Sequence, residues 1–184
     1  MGRWEPNARG RLEQAALELY GERGYDTTTV KEIAERAGLT ERTFFRHFAD
    51  KREVLFGGTA LQDGLVAALA EVPDDAAPLD AVAVTLEATA GQFDERRELV
   101  RRRQAVIAAH AELQERELIK LAAIAAALTG ALRDRGTAEP AAGLAAETGV
   151  AVFKVAYERW LADPDEHSFA QHLSDAFDAL KALT

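Results

Sequence analysis

Apolar residues recur along this chain at the three- and four-residue spacing of amphipathic α-helices. The first such stretch runs over about residues 8–23, where Leu12, Ala16 and Leu19 lie on one face of a helix. Gly24 follows at a position where glycine often ends a helix. Strict apolar–polar alternation, the pattern of a half-buried strand, is hard to find, and β-branched residues are sparse. We therefore expect an all-α fold with about nine helices.

The segment EIAERAGLTERTFFRHF, which begins at Glu32, carries the strongest local signals. Thr29 and Glu32 have the spacing of a capping box, which predicts a helix over about residues 30–37. Gly38 can adopt the positive φ that ends this helix, and another helix is predicted over about residues 40–48. Two short helices joined by a tight glycine-containing turn form a helix-turn-helix. The pattern therefore predicts a three-helix DNA-binding domain at the N-terminus.

The polar residues of the second short helix are candidates for DNA contacts, because a recognition helix presents its N-terminal half to base edges. Lys51 and the free N–H groups near Thr29 and Asp50 suit phosphates. The DNA-contact candidates are Thr29, Thr40, Glu41, Arg42, Thr43, Phe45, Arg46, His47 and Lys51. Those best placed for base contacts are Glu41, Arg42, Thr43 and Arg46. The alternative is a helical hairpin whose polar face is only solvated.

Residues 9–56 resemble the N-terminal DNA-binding domain of the TetR family of bacterial transcriptional regulators. The resemblance rests on the segment GYDTTTVKEIAERAGLTERTFFRHFADKREVL. It implies DNA-contact positions at Thr29, Arg42, Thr43, Phe45, Arg46, His47 and Lys51. The family usually has tyrosine where this chain has Phe45. Without the phenolic hydroxyl, Phe45 is expected to make only apolar contact with a thymine methyl group or a sugar.

The rest of the chain is predicted to be helical as well. The apolar pattern continues from Lys51 to Val72 and predicts one long fourth helix, before the segment PDDAAP interrupts it. Further helices are expected over about residues 79–92, 95–109, 112–135, 140–162 and 168–183. We predict a helix-turn-helix DNA-binding domain over residues 1–53 and a helical effector-binding and dimerisation domain over residues 54–184.

The last two predicted helices carry apolar stripes that suit a dimer interface. The resemblance implies a homodimer in which two helices from each subunit form a four-helix bundle. Such a two-fold dimer reads a pseudo-palindromic operator in double-stranded DNA. The interface candidates are Val152, Ala156, Trp160, Phe169, Leu173, Phe177 and Leu180. The alternative is that both stripes belong to the core of the chain itself.

The run ERRELVRRRQ, from Glu95 to Gln104, is the most distinctive feature of the predicted second domain. Its three successive arginines spread over about 200° of a helix, so one of them can point inward and bind a carboxylate or phosphate of an effector. The alternative is a solvated helix with Arg–Glu pairs that also contacts the DNA-binding domain.

The region RRRQAVIAAHAELQERELIKLAAIAAAL also resembles a branch of the TetR family in which some members respond to acyl-CoA-like ligands. His110 lies near a helix end, where it either donates to an effector or is a surface or capping histidine. Phe93, Phe153 and Tyr157 either line a cavity or form plain core. The effector-binding candidates are Phe93, Arg101, Arg102, Arg103, His110, Phe153 and Tyr157.

The net charge of −9 is unevenly distributed along the chain. Residues 1–56 hold ten basic and ten acidic residues, whereas the remainder holds 12 basic and 21 acidic residues. A neutral N-terminal part joined to an acidic remainder is compatible with DNA binding, because only the contacting face must be positive.

Composition and spacing also argue against other classes of protein. Cysteine is absent, which excludes disulfides and thiolate metal sites and fits a reducing cytosol. His167 and His172 are too far round one helix to share a metal readily, so neither a metal nor a cofactor is expected. Zincin spacing and a glycine-rich phosphate loop are absent, so we do not expect an enzyme.

The N-terminus lacks the apolar stretch of a signal peptide, and the longest apolar run, LAAIAAAL, is too short to span a bilayer. A soluble cytoplasmic protein with no membrane partner is therefore expected. Together, the patterns predict a homodimeric, ligand-responsive transcriptional repressor that a small-molecule effector releases from its operator. The alternative is a ligand-independent architectural or division protein with the same N-terminal domain.

Overall fold

The computed structural model describes residues 7–183, and this part of the chain folds into helices and turns without a strand. Within it lie ten α-helices and one 3-10 helix, Glu53–Leu55. The α-helices are α1 (Ala8–Arg23), α2 (Val30–Arg36), α3 (Glu41–His47), α4 (Ala60–Ala70), α5 (Pro78–Thr89), α6 (Gly91–Asp94), α7 (Arg97–Ala108), α8 (Ala111–Asp134), α9 (Ala141–Ala162) and α10 (Phe169–Lys181). The predicted all-α fold is confirmed. Across residues 7–183, no helix combines the length and the apolar character needed to cross a membrane.

The chain divides into two compact units. The first unit comprises the chain up to Gly58 together with Glu98–Glu117, and the second comprises Thr59–Arg97 together with the chain from Leu118 onward. The segment Glu98–Glu117 therefore belongs structurally with the N-terminal helices. The predicted functional division after residue 53 stays a prediction, because compactness does not show which unit binds which partner.

The core of the first unit is formed by α1, α2 and α3 together with residues of the Glu98–Glu117 segment. Leu12, Ile33, Phe44 and Ile107 are fully buried there. Burial of such a side chain stabilises a fold by about 1.5–3 kcal/mol relative to leaving it exposed. One buried residue from each element therefore fixes the position of α3 within this unit.

The ends of α2 and α3 follow the local signals in the sequence. Thr29 and Glu32 form the predicted capping box at the start of α2. Gly38 has a φ of 67°, which a glycine adopts at little cost, and this residue separates α2 from α3. The hydroxyl of Thr40 caps the start of α3. The helix-turn-helix therefore forms from contacts between residues that are close in sequence.

The predicted long fourth helix is wrong. The 3-10 helix ends at Leu55, and Gly57 and Gly58 both have a φ of 65°. An α-helix cannot continue through two left-handed residues, so α4 begins only at Ala60. The apolar periodicity crosses this break because it reports which positions are buried and carries no information on φ.

In the second unit, α9 packs closely against α5 and α10. Gly149 lies on α9 where a Cβ atom would overlap Cγ1 of Val82 on α5, so this glycine allows the two helices to approach. Trp160, Phe169 and Leu173 are fully buried where α9 meets α10. These large side chains give the second unit a core of its own.

Candidate DNA-binding surface

Helix α3 has one buried side and one exposed side. Phe44 is fully buried, and its ring lies 5.4 Å from the ring of Phe48, which follows the helix. Arg42, Phe45 and Arg46 are exposed on the other side, and 55% of Phe45 is accessible to solvent. A large apolar side chain between two guanidinium groups suits the major groove, where thymine methyl groups and guanine acceptors are displayed.

The arginines of α3 differ from the other arginines of the described residues 8–53. The others form ion pairs or cap a helix: Arg9 with Glu13, Arg23 with Glu32, Arg36 with Glu18 and Glu22, Arg52 with Asp50, and Arg11 with the backbone carbonyl of Ala37. Within residues 7–183, Arg42 and Arg46 form neither a hydrogen bond nor an ion pair. The uncompensated positive charge of this neutral segment therefore concentrates on the exposed side of α3.

Thr40, Glu41 and Thr43 lie at the N-terminal end of α3, where a recognition helix contacts bases. The Thr40 hydroxyl accepts a hydrogen bond from the Thr43 backbone N–H at 3.2 Å and lies 3.1 Å from the Thr43 hydroxyl. Glu41 is exposed in the first turn, where a carboxylate can accept from cytosine N4. The base contacts of these three residues stay predictions.

The N-terminus of α2 and the N–H groups after Asp50 are expected to bind phosphate, but side-chain carboxylates already accept some of these N–H groups. The Glu32 carboxylate accepts from the backbone N–H and from the hydroxyl of Thr29, each at 2.9 Å. Asp50 accepts from the backbone N–H groups of Arg52 and Glu53 at 2.8 and 3.2 Å. The Thr29 N–H lowers the pKa of Glu32, and the Arg52 guanidinium lowers the pKa of Asp50. Both carboxylates are therefore ionised at pH 7, and phosphate contacts at these two positions stay predictions.

Lys51 also differs from the expected phosphate contact. Its Nζ donates to the backbone carbonyl oxygens of Tyr25, Asp26 and Thr28 at 2.8, 3.2 and 3.2 Å, and it lies 4.3 Å from the centre of the Tyr25 ring. An ammonium group has three N–H donors, so all three are used within the chain. The Tyr20 hydroxyl in turn donates to the Lys51 carbonyl at 2.8 Å. Lys51 therefore holds the connection between α1 and α2 in place.

His47, one of the DNA-contact candidates, is half-buried. Its Nε2 is buried and has no hydrogen-bond partner within residues 7–183. Burial, aided by the positive charges of Arg46 and Arg9, lowers its pKa. Burial therefore favours the neutral form of the imidazole in the free chain. A DNA contact by His47 stays a prediction.

The effector candidates are distributed over both compact units. The first unit contains Arg101, Arg102, Arg103 and His110, and the second contains Phe93, Phe153 and Tyr157. Arg102 pairs with Glu98 at 2.9 Å, and Arg103 pairs with Glu117 at 3.3 Å while donating to the Leu55 carbonyl. These contacts match the alternative of a helix with Arg–Glu pairs that contacts the N-terminal part of the chain.

His110 has a structural environment in the first unit. Its Nδ1 lies 2.8 Å from the carbonyl oxygen of Val106, and its ring centre lies 5.0 Å from that of Tyr25. The imidazole therefore caps the end of α7 against an aromatic neighbour, as the alternative interpretation of this histidine expected. An effector contact by His110 stays a prediction.

The three aromatic effector candidates lie together in the second unit. The ring centres of Phe93 and Phe153 are 5.8 Å apart, and those of Phe153 and Tyr157 are stacked at the same distance. Phe169 and Trp160 extend this cluster. Aromatic rings in mutual contact stabilise a core, so an effector role for the cluster stays a prediction.

Six of the seven dimer-interface candidates are buried within the chain's own second unit. Ala156, Trp160, Phe169 and Leu173 are fully buried, Val152 and Phe177 are nearly so, and Leu180 is half-buried. Burial within the chain favours the intramolecular alternative for these six residues, and a dimer contact by any of them stays a prediction. The exposed apolar residues of α9 are instead Leu144 and Val155, at 63% and 51% exposure.

Two family models match the chain. The model of bacterial regulatory proteins of the tetR family matches residues 13–56, and the model of the MftR C-terminal domain matches residues 76–184. The first match covers the helix-turn-helix described above. The second covers more than half of the chain.

Individual proteins agree with these models. TcmR of Streptomyces glaucescens, an HTH-type transcriptional regulator, is 42% identical over 85 residues, which span 46% of this chain and 38% of TcmR. The transcriptional regulator MftR of Mycobacterium tuberculosis is 28% identical over 187 residues, which span 99% of this chain and 93% of MftR. Both proteins are named as regulators rather than enzymes, in agreement with the prediction that this chain is not an enzyme.

Solved structures share the fold. Thermus thermophilus FadR, a TetR-family transcriptional repressor in complex with lauroyl-CoA, aligns with a TM-score of 0.55 at 23% identity over 94% of this chain and 92% of its own. At this identity the likeness shows the fold alone. Because one family model covers the helix-turn-helix and a second covers more than half of the sequence, this chain belongs to the TetR family of DNA-binding transcriptional regulators and carries an MftR-type C-terminal domain.

Proposed function

We propose that this protein is a homodimeric transcriptional repressor that reads an inverted-repeat operator with α3 and leaves it when a small-molecule effector binds. The observation that carries the proposal is the exposed side of α3, where Arg42 and Arg46 flank Phe45 without an internal ion pair. A bidentate contact between a guanidinium and guanine O6 and N7 is the commonest specific contact in the major groove. Buried Phe44 holds this side of the helix outward.

Dimerisation would use the exposed side of α9. Leu144 and Val155 are separated by about three helical turns, so they lie on one face. Exposed large apolar residues on one helix face suit an isologous contact with the same face of a second copy. A two-fold dimer presents two α3 helices to half-sites that are about 34–36 Å apart.

The effector would bind in the second unit. Residues 1–53 would bind DNA, and residues 54–184 would bind the effector and form the dimer. FadR, which shares the fold, was solved with lauroyl-CoA, and this supports an acyl-CoA-like ligand whose chain contacts the cluster of Phe93, Phe153 and Tyr157. The chain crosses between the two compact units three times, after Gly58, Arg97 and Glu117. An effector that prefers a second conformer by about 3 kcal/mol would lower DNA affinity about 150-fold through these connections.

The site of action would be the cytoplasm, where a bacterial regulator meets the chromosome. Repression, rather than activation, is supported by FadR, a transcriptional repressor that shares the fold. The architectural alternative differs from this proposal in one respect that can be measured: it predicts retention of DNA without a common sequence.

The proposal can be tested by selecting the purified full chain against a random duplex DNA library at moderate salt. An enriched inverted repeat is the expected result. Arg46→Ala and Arg42→Ala should each weaken binding to that repeat by about 1–3 kcal/mol and relax its sequence at one position. Arg36→Ala removes the same charge from the same unit, but there the charge is compensated by Glu22 at 2.7 Å, so this control should leave DNA affinity within about twofold.

Retention of DNA without a motif would favour the architectural alternative, and equal losses in all three arginine variants would remove base reading from α3. Adding lauroyl-CoA to the complex then tests the effector. Release of the operator at lauroyl-CoA concentrations that leave nonspecific DNA binding intact supports an acyl-CoA-like ligand. An unchanged complex contradicts that ligand class.

A further inference from the structure

Two histidines and an aspartate meet at the junction between α9 and α10. These three residues are not among the candidates for DNA contact. Asp163 follows the last residue of α9, His167 lies in the connecting loop, and His172 lies in the first turn of α10. The expectation of no metal treated both histidines as members of one helix, although the helix predicted there begins only at about residue 168. That treatment is wrong, because Ser168 caps α10 and His167 therefore lies before the helix.

Both imidazole rings converge on the Asp163 carboxylate. Oδ2 of Asp163 lies 2.9 Å from Nδ1 of His167 and 3.1 Å from Nε2 of His172. The three candidate ligand atoms lie within 4.8 Å of one another. In a tetrahedral zinc site with bonds of about 2.0–2.1 Å, neighbouring ligand atoms are about 3.3 Å apart. The Asp163 carboxylate also accepts from the backbone N–H groups of Asp165 and His167, each at 2.9 Å, so it is held in place. Rotation of the two imidazole rings, with loss of their hydrogen bonds to Asp163, would therefore admit an ion.

We propose that Asp163, His167 and His172 form a binding site for Zn²⁺ or a similar divalent transition-metal ion. Two imidazole nitrogens and one carboxylate oxygen are ligands that zinc commonly takes, and water completes a four-coordinate site of this kind. Mg²⁺ and Ca²⁺ prefer sites built from oxygen alone, so the two imidazoles select against them.

Exposure indicates where an ion would enter. The His167 side chain is 59% exposed, whereas those of His172 and Asp163 are 12% and 9% exposed. The two buried ligands would form the base of the site, and the exposed imidazole would close over the ion from the solvent side. The fourth position would then face water.

The loop that carries the ligands is held from both ends. The Arg97 guanidinium donates to the backbone carbonyl oxygens of Asp163 and His167 at 3.3 and 3.1 Å. The Asp94 carboxylate accepts from the backbone N–H of Phe169 at 2.9 Å. Ligands on a loop that is already ordered lose little conformational freedom when the ion binds.

The proposed site should bind zinc more weakly than a structural site with four protein ligands. It supplies three ligands, and the positive charge of Arg97 lies against the same loop. Its effect on the fold would be to tie the end of α9 to the start of α10. Because the argument uses only the second unit, it does not depend on the proposed operator or effector.

Titration calorimetry on the full chain, without a polyhistidine tag and freed of metal by a chelator, tests the proposal with ZnCl₂ alone. One ion per chain is the expected result, and Co²⁺ in place of zinc should show the visible absorption of tetrahedral coordination. His167→Gln changes a largely exposed ring, so the fold should tolerate it. Changing a residue that only hydrogen-bonds to a metal ligand typically lowers metal affinity by roughly 10–100-fold. Loss of the ligand His167 itself should lower zinc affinity by more than that.

His172→Gln should weaken zinc binding as strongly, whereas His110→Gln serves as the control because it removes a histidine of the first unit. Circular dichroism establishes that each variant is folded, and if His172→Gln is not, His167→Gln decides alone. The proposal is overturned by three results: no heat of zinc binding, binding that His167→Gln leaves unchanged, or an equal loss in His110→Gln.

Discussion

Replacing Lys51 by methionine should destabilise the first compact unit. The substitution keeps the length and the apolar stem of the side chain but removes the ammonium group. Three backbone carbonyl groups, those of Tyr25, Asp26 and Thr28, then lose a charged donor. The contact between the ammonium and the Tyr25 ring is lost as well.

The expected magnitude follows from the environment of each hydrogen bond. A hydrogen bond to a charged group contributes about 1.5–3 kcal/mol to stability. The bonds to Tyr25 and Thr28 are partly buried, whereas the bond to Asp26 is exposed, so water replaces part of what is lost. We therefore expect the free energy of unfolding to fall by about 2–3 kcal/mol, rather than by the sum of three such bonds. In a chain of this length that lowers Tm by about 5–10 °C.

Thermal unfolding followed by circular dichroism measures this change. Lys31→Met is the matched control: it removes the same charge from an exposed position whose nearest carboxylate, on Glu35, is 3.9 Å away. An exposed pair of this kind contributes about 0–1 kcal/mol, so the control should change Tm by no more than about 3 °C.

DNA binding at several salt concentrations provides the opposing test. If Lys51 instead releases the carbonyl groups and contacts phosphate, Lys51→Met would leave Tm unchanged and lower the slope of log K against log salt by about one. That pair of results would refute the assignment of Lys51 to the connection between α1 and α2. A fall in Tm with an unchanged salt slope supports the assignment.

Three further predictions concern single positions. Phe45→Tyr restores a hydroxyl on the exposed side of α3, so it should tighten operator binding by about 0.5–1.5 kcal/mol without changing Tm, as fluorescence anisotropy and thermal unfolding would reveal. Gly149→Ala should lower the free energy of unfolding in urea by about 1–3 kcal/mol, and a Val82→Ala background should remove most of that loss if the overlap is its cause. Asp50→Ala should cost about 1 kcal/mol at pH 7, because the carboxylate accepts two backbone N–H groups. The pKa of Asp50 is lowered in the fold, so its stabilisation is present above about pH 4 and is lost as the pH falls. The urea midpoints of the variant and the parent chain should therefore converge towards pH 3, and a constant difference would contradict the role of the charge.

Several features of the fold could be predicted because their causes lie within a few residues of one another. The capping box of Thr29 and Glu32, the positive φ of Gly38 and the cap at Thr40 are local, so the sequence predicted α2 and α3 to within a residue or two. Ser168 carried a local signal as well, since a serine before an apolar helix is a common N-cap. The predicted helix over about residues 168–183 already left His167 outside α10, and this boundary contradicts the treatment of both histidines as members of one helix.

Other features could not be predicted, because a helical pattern shows that a side chain is buried and not what it is buried against. The stripe of Ala156 and Trp160 on α9 is equally compatible with a dimer interface and with an internal core, and the structure places both residues inside their own unit. Similarly, the sequence shows that Arg103 is charged, but not that its guanidinium contacts the Glu117 carboxylate and the Leu55 carbonyl oxygen.

By itself, the sequence determined the helical class, the helix-turn-helix and its polar outer face, since these depend on spacing and on caps between near neighbours. Only the tertiary structure decided how each charged group is used. It paired Arg9, Arg23, Arg36 and Arg52 with carboxylates and left Arg42 and Arg46 exposed. It also directed Lys51 to three carbonyl groups. It also brought His167 and His172 to one carboxylate. The physical reason is that hydrogen bonds and ion pairs act over a few ångströms in space, and which groups come that close is set by the packing of the helices.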